Sequence, residues 1–203
     1  MVMALWAVAI WCFFQFCYPY HFFFQEQNQL FIWSWDYIST YTDKPGGLAG
    51  ILGDFLTQFY YYLFAGATIL TACLLIIACL LYKALTNFKV SKPVALLLAL
   101  FVMVFVAVCH FSTSYRLSST ISIMGWLLLL WGVSSIRKNA LKLSVLACGL
   151  LPCYLLFGSP VIKQLQMPDL VLEKDFAVDC EYHFGHYDKV IQMVEGQDRL
   201  TDQ

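Results

Sequence analysis

Four polar side chains have the type and the position to do chemistry at the edge of long apolar stretches: Glu26, Asp54, His110 and Arg116. Glu26 lies two residues after a run of three phenylalanines, Phe22 to Phe24, so its carboxylate lies at an apolar boundary, where an unpaired charge is costly. A carboxylate in that position could act as a general base or bind a divalent cation. The sequence therefore predicts Glu26 and Asp54 as candidate catalytic residues.

The remaining two side chains, His110 and Arg116, are predicted to bind a substrate. Arg116 could pair with a phosphate or with Glu26. His110 is an ionisable residue in an apolar stretch, a position that is often functional. Each candidate also has a plainer interpretation. The carboxylates could form the wet face of helices at a membrane surface, Arg116 could be a solvated loop residue, and His110 could simply be hydrated.

The composition limits the class of protein that could position these residues. Of 203 residues, 61% are hydrophobic and only 12% are charged, whereas soluble domains are about 25% charged. A chain of this size has too little interior to hide so much apolar surface. The net charge of -1, without a basic run, argues against nucleic-acid binding. We predict a membrane protein with the lipid bilayer as its first partner, and the sequence leaves open whether it is an enzyme.

Five windows without Lys, Arg, Asp or Glu are long enough to cross a bilayer, which takes about 20 apolar residues. They are residues 1–25, 55–82, 93–115, 117–136 and 143–162. Backbone exposed to lipid must bond within its own segment, which favours helices. We predict an all-α, polytopic membrane bundle of about five transmembrane helices over 1–162, followed by a short helical tail over 163–203.

Positive charge is concentrated on two connections between these windows, which contain no acidic residue. The six basic residues are Lys83, Lys89, Lys92, Arg137, Lys138 and Lys142. The segment 26–54 is acidic by comparison. Because basic connections stay in the cytoplasm, we predict a bacterial inner-membrane protein with a cytoplasmic N-terminus and a periplasmic tail.

The outer loop 20–57 is predicted to form two amphipathic helices on the outer leaflet. In the second of them, apolar residues recur at helical spacing from Leu48 to Phe59. Asp54, Thr57 and Gln58 fall on the opposite face, which should be wet. The turn that starts this helix is Pro45-Gly46-Gly47.

The tail has a different composition, with nine acidic and four basic residues over 163–203. Apolar spacing on both sides of Gly185 predicts a helix, a tight turn and a second helix, similar to the turn of a tetratricopeptide repeat. One such pair cannot bury its own apolar face, so we expect a longer chain or a protein partner. Cys180, His183 and His186 lack a fourth ligand of similar quality. We therefore predict no metal or other cofactor.

Three motifs together resemble an uncharacterised family of Bacteroidetes multi-pass membrane proteins. They are Glu26-Gln27-Asn28-Gln29-Leu30-Phe31, Pro45-Gly46-Gly47-Leu48 and Asp54-Phe55-Leu56-Thr57-Gln58-Phe59. The resemblance implies an N-terminal helical membrane region joined to C-terminal helical repeats. It implies no activity.

Two functions compete on this evidence. The first is an envelope scaffold, in which a membrane bundle presents a helical repeat surface to envelope proteins. The second is an enzyme similar to the membrane glycosyltransferases that use polyprenyl-phosphate sugars, with Glu26 as the base. A divalent cation would be required only under the second. Such enzymes usually carry Asp or an Asp-Glu pair at this position, and more spans than five.

Overall fold

The computed structural model describes residues 2–29, 31–42, 44–112, 115–158 and 170–201, and the regular secondary structure in these ranges is entirely helical, without a strand. Contacts divide the chain into two compact units, residues 1–166 and 167–203. The helices of the first unit are α1 (Val2–Cys12), α2 (Tyr20–Asn28), α3 (Trp35–Thr42), α4 (Gly47–Thr57), α5 (Ala65–Asn87), α6 (Lys92–Cys109), α7 (Leu117–Ser135) and α8 (Asn139–Phe157). Those of the second are α9 (Leu170–His183) and α10 (Tyr187–Thr201).

Four of these helices, α5 to α8, are long and apolar enough to cross a membrane. The predicted first span is instead bent. α1 continues into a π-helical turn at Phe13–Cys17, and the chain then turns by 77° into α2. Pro19 lies at this bend, where its missing N–H and its ring oppose a continuous helix. The structure therefore has four span-length helices, or five if the bent pair counts as one.

The centre of the first unit is α5, which packs against α1, α6 and α7. Leu70, Leu74 and Ile77 are fully buried at the spacing that places side chains on one helix face. The outermost helix is α8, in which Cys153 is the only buried residue.

The two basic connections lie at the same end of the bundle. Asn87 Nδ2 at the end of α5 donates to Ser134 Oγ at the end of α7 over 3.1 Å. Lys83 Nζ lies 5.9 Å from the centre of the Trp131 ring. The opposite end therefore combines α2, α3 and α4 with His110, at the end of α6, and Arg116, at the start of α7.

The buried face of α4 differs from the prediction. Asp54 and Thr57 are 5% and 0% exposed, whereas Leu52 and Phe55 are 38% and 37% exposed. The expectation that Asp54 and Thr57 are on a wet face is therefore wrong. α4 packs on α7 through small residues, and the two polar side chains on that side find hydrogen-bond partners inside the unit.

Candidate functional site

Glycine allows α4 to approach α7 closely enough to bury Asp54. A Cβ added at Gly53 would lie 2.8 Å from the Cα of Ser118, the second residue of α7. Any side chain larger than hydrogen would push the two helices apart. The neighbouring Ala49 is 1% exposed, so small residues form this contact. A polar side chain enclosed in this way needs its own hydrogen-bond partners.

Asp54 obtains those partners from two tyrosines on α3. Tyr37 donates its hydroxyl proton to Asp54 Oδ2 over 2.8 Å, and the Tyr41 hydroxyl donates to the same oxygen. Burial, followed by the hydrogen bonds to Tyr41 and Asp54, raises the pKa of Tyr37 well above its usual value. Burial and the Asp54 bond also raise the pKa of Tyr41. Both phenols therefore remain protonated donors across the physiological pH range.

Next to this cluster lies a polar cavity of about 620 Å³. Its walls come from the turn before α4, the start of α7 and the end of α8, with Tyr41 connecting it to the Asp54 cluster. The lining residues are Thr40, Tyr41, Lys44, Pro45, Gly46, Gly47, Ala49, Gly50, Arg116, Ser118, Ser119, Ser122, Tyr154, Phe157 and Gly158. Cavities between about 300 and 1,000 Å³ with a few convergent polar groups are typical ligand sites.

Hydrogen bonds hold the walls of the cavity together. The backbone N–H of Gly46 donates to Leu155 O over 3.0 Å, which joins the α4 turn to α8. Ser122 Oγ on α7 donates to Phe157 O over 2.5 Å. Gly46 has a φ of +94°, a conformation that glycine adopts without a steric penalty. The shape of the cavity therefore depends on the Pro45-Gly46-Gly47 turn that the sequence predicted.

The predicted site residues are not all at this cavity. Arg116 lines the cavity. Asp54 does not line it, but accepts a hydrogen bond from Tyr41, which does. The positive charge of Arg116 is close enough to lower the pKa of Tyr41, although less than burial raises it. Glu26 is half-buried and is not a lining residue. His110 is not a lining residue either, so the four candidates do not form one site.

His110 belongs to a second, buried polar cluster. Its Nε2 lies 2.8 Å from Thr120 Oγ1 on α7, and its ring centre is 6.4 Å from that of His21. Gln25 Nε2 donates to Tyr115 O over 2.8 Å, and Gln25 Oε1 has no hydrogen-bond partner. Sequence reasoning missed His21 and Gln25. The available signal was that His21 and Gln25 are four residues apart, which places both on one face of α2.

The second unit is a helical hairpin, as the spacing around Gly185 predicts. Gly185 has a φ of +76° at the turn. Glu181 accepts a hydrogen bond from His186 Nδ1 over 2.5 Å and one from Lys189 Nζ over 3.5 Å, which braces the turn. Cys180 is 6% exposed. Within the described part of the chain, no group of three or more His, Cys, Asp or Glu residues is arranged to hold a metal ion.

One stripe of the hairpin is apolar and exposed. On α10, Tyr187, Ile191 and Val194 are 58%, 54% and 42% exposed. They are four and three residues apart, so they share one helix face. Tyr182 and Phe184, at the end of α9 and in the turn, are also more than half exposed. We refer to these five residues as the hairpin stripe.

The geometry defines an all-helical protein with four or five span-length apolar helices and a polar layer at one end of the bundle. In family comparisons, residues 1–167 match a family of unknown function, DUF6057. The chain belongs to this family. The match covers the first unit and ends as the second begins. No curated protein and no solved structure matched the chain.

Proposed function

We propose that the protein is an inner-membrane anchor that presents its C-terminal hairpin to a protein partner in the bacterial envelope. The apolar exterior of the first unit supports insertion into a bilayer, since Cys153 is the only buried residue of α8. A helix of 19 residues is about 28 Å long, which is close to the hydrocarbon thickness of about 30 Å.

The proposed orientation has a cytoplasmic N-terminus and a periplasmic hairpin. It is supported by the two basic connections that meet at one end of the bundle, because basic connections remain cytoplasmic. It also requires the bent pair α1 and α2 to count as one span. Four spans instead of five would leave the N-terminus and the hairpin on the same side.

The observation that carries the anchor proposal is the hairpin stripe. Five large apolar or aromatic side chains are each at least 42% exposed within the second unit, 167–203. Aromatic side chains supply much of the binding energy in protein interfaces. Further helical pairs of the tetratricopeptide type would be one suitable partner surface, and a separate envelope protein would be another.

A photo-crosslinking amino acid at Ile191 tests this proposal in living cells. We expect a discrete crosslink to one protein, identified by mass spectrometry. The matched control is the same probe at Gln192, which is also exposed on α10 but is polar and is neither three nor four residues from Tyr187, Ile191 or Val194. A crosslink to lipid alone, or equal crosslinking from both positions, would rule out the protein-docking role.

A second candidate function is an enzyme that acts on a polyprenyl-phosphate-linked sugar. The specific observation in its favour is the polar cavity, which Arg116 lines and which is at the same end of the bundle as Glu26. Glu26 would be the base and Arg116 would bind the phosphate, with a divalent cation as a possible cofactor. If so, Glu26→Gln should abolish complementation of a deletion strain, while Asp36→Asn on the exposed side of α3 should complement fully. Full complementation by Glu26→Gln would remove this candidate.

A further inference from the structure

Two cations and the first residues of two helices line the cavity between the α4 turn, the start of α7 and the end of α8. We infer that it binds a phosphate group, either on the headgroup of an anionic lipid or on a soluble phosphate. This site involves residues of the first unit only. The inference is therefore independent of partner docking by the hairpin.

Two cations line the cavity, Lys44 and Arg116, and among the residues that the structure describes no carboxylate does. The ion pairs of the described ranges are all in the hairpin, so neither cation is neutralised by a described acidic residue. A guanidinium group presents several N–H donors in a plane that matches two phosphate oxygens, and an ammonium group adds a compact charge. Two cations at one cavity, without an ion-pair partner in the described ranges, favour an anionic ligand.

Two helix N-termini open into the same cavity. Gly46 and Gly47 at the start of α4, and Ser118 and Ser119 at the start of α7, are lining residues. Neither helix has a side-chain hydrogen bond at its N-cap. The first turn of a helix has backbone N–H groups without intrahelical acceptors, and its dipole favours negative charge. Phosphate commonly satisfies such groups.

The end of α8 would oppose an anion if its carbonyl groups were free, because the C-terminus of a helix carries partial negative charge. Several of these carbonyls are already bonded. Leu155 O accepts from Gly46 N, Phe157 O accepts from Ser122 Oγ, and Gly158 O accepts from Trp126 Nε1 over 2.7 Å. Three acceptors on this wall are therefore engaged. Among the donors, the N–H groups of Gly46 and Ser119 are also bonded, to Leu155 O and Arg116 O, which leaves the side chains of Lys44 and Arg116 as the main donors.

The position of the cavity is suited to a lipid phosphate. It lies where two span-length helices, α7 and α8, begin and end. If these helices cross a bilayer, that level is the headgroup layer, about 15 Å from the bilayer centre. Tyr154 and Phe157 provide an apolar wall next to the exposed outer face of α8. A soluble phosphate ester would use the same donors without that wall.

The test uses the full chain purified in detergent, with bound ligand counted by native mass spectrometry. Phosphatidic acid is titrated first, phosphatidylcholine serves as the zwitterionic comparison, and inorganic phosphate is then added as a competitor. We expect phosphatidic acid to bind and phosphatidylcholine to bind far less. Arg116→Gln and Lys44→Gln should each raise the dissociation constant by about tenfold, since each removes a charge-assisted contact.

The matched control is Lys138→Gln, which removes an exposed cation at the start of α8, outside the cavity. It should bind phosphatidic acid like the wild type. Arg116→Lys, which keeps the charge, should recover part of the loss and guards against a folding defect.

Full competition by millimolar inorganic phosphate would support the site with a soluble ligand, whereas weak competition would support a lipid. Equal binding by wild type, Arg116→Gln and Lys44→Gln, or no binding at all, would overturn the inference.

Discussion

The hydrogen bonds from α3 to the buried carboxylate of Asp54 lead to a prediction about local stability. Asp54→Asn preserves the shape of the side chain and removes its charge, while Tyr37 and Tyr41 can still donate to the amide oxygen. The prediction is that α3 opens more often, because these two bonds hold it to α4. α4 should remain in place, since its small residues still pack on α7.

The size of the effect follows from the two bonds. A charge-assisted hydrogen bond contributes about 1.5–3 kcal/mol and a neutral one about 1 kcal/mol. Asp54→Asn therefore weakens each bond by about 1 kcal/mol, which lowers the free energy of opening α3 by about 2 kcal/mol. Since about 1.4 kcal/mol corresponds to a factor of ten, the opening equilibrium should rise by about 30-fold.

Hydrogen–deuterium exchange of the peptide that contains residues 35–42 measures this opening directly. The matched control is Asp36→Asn, an exposed acidic residue in the first turn of the same helix. Its loss weakens only the interaction with the helix dipole, about 0.3–1 kcal/mol, so exchange should rise by no more than about fivefold. If Asp54→Asn accelerates exchange no more than Asp36→Asn, the carboxylate does not hold α3 in place.

Three further predictions concern thiol reactivity, packing and pH. Burial raises the pKa of the Cys180 thiol to about 11. Because maleimide reacts with the thiolate, a membrane-impermeant maleimide should label Cys180 slowly in cells with a permeabilised outer membrane. A cysteine in place of the exposed Asp188 should react quickly in the same cells. Ser122→Ala leaves Phe157 O without its donor, and this should cost about 1–3 kcal/mol and lower the Tm by several degrees. The pKa of Tyr37 is raised in the folded protein. Its contribution to stability is therefore complete below the ordinary tyrosine pKa of about 10 and falls as the pH rises above it.

Each of these predictions has a control. A cysteine in place of the exposed Lys138, on a basic connection, should react only after lysis; labelling of both positions in permeabilised but unlysed cells would contradict the orientation. Ser144→Ala should not alter the Tm, because Ser144 bonds only to Ala140 O in its own helix; an equal loss in both variants would argue against the α7–α8 bond. Tyr37→Phe should lose less stability than the wild type between pH 9 and 11, and parallel pH profiles would contradict the assigned cause.

Much of the fold could be read from local sequence. The apolar windows predict α5 to α8 because each segment must satisfy its own backbone. Pro45-Gly46-Gly47 predicts the start of α4, and Gly185 predicts the turn of the hairpin, since glycine adopts these turn conformations without steric cost. The first window was only partly correct, because the π-helical turn and the bend near Pro19 divide it.

Only some residues of the candidate site could be predicted from the sequence. Asp54 and Arg116 were predicted individually, as a carboxylate and a cation outside the apolar core. Their common link, Tyr41, was not predicted, because it depends on α3 folding back onto α4. Glu26 and Arg116 were expected to be possible partners, yet only Arg116 lines the cavity.

The sequence by itself determined where the helices are, which connections are basic and which turns require glycine, since these follow from composition and short-range spacing. Only the tertiary structure decided which face of α4 is buried. Periodicity divides a helix into two faces but does not say which one its neighbours cover. Gly53 allows α7 to pack against the polar side of α4, and the tyrosines of α3 donate hydrogen bonds to the Asp54 carboxylate that is buried there. The cavity likewise exists only because three segments, distant in sequence, place their ends together.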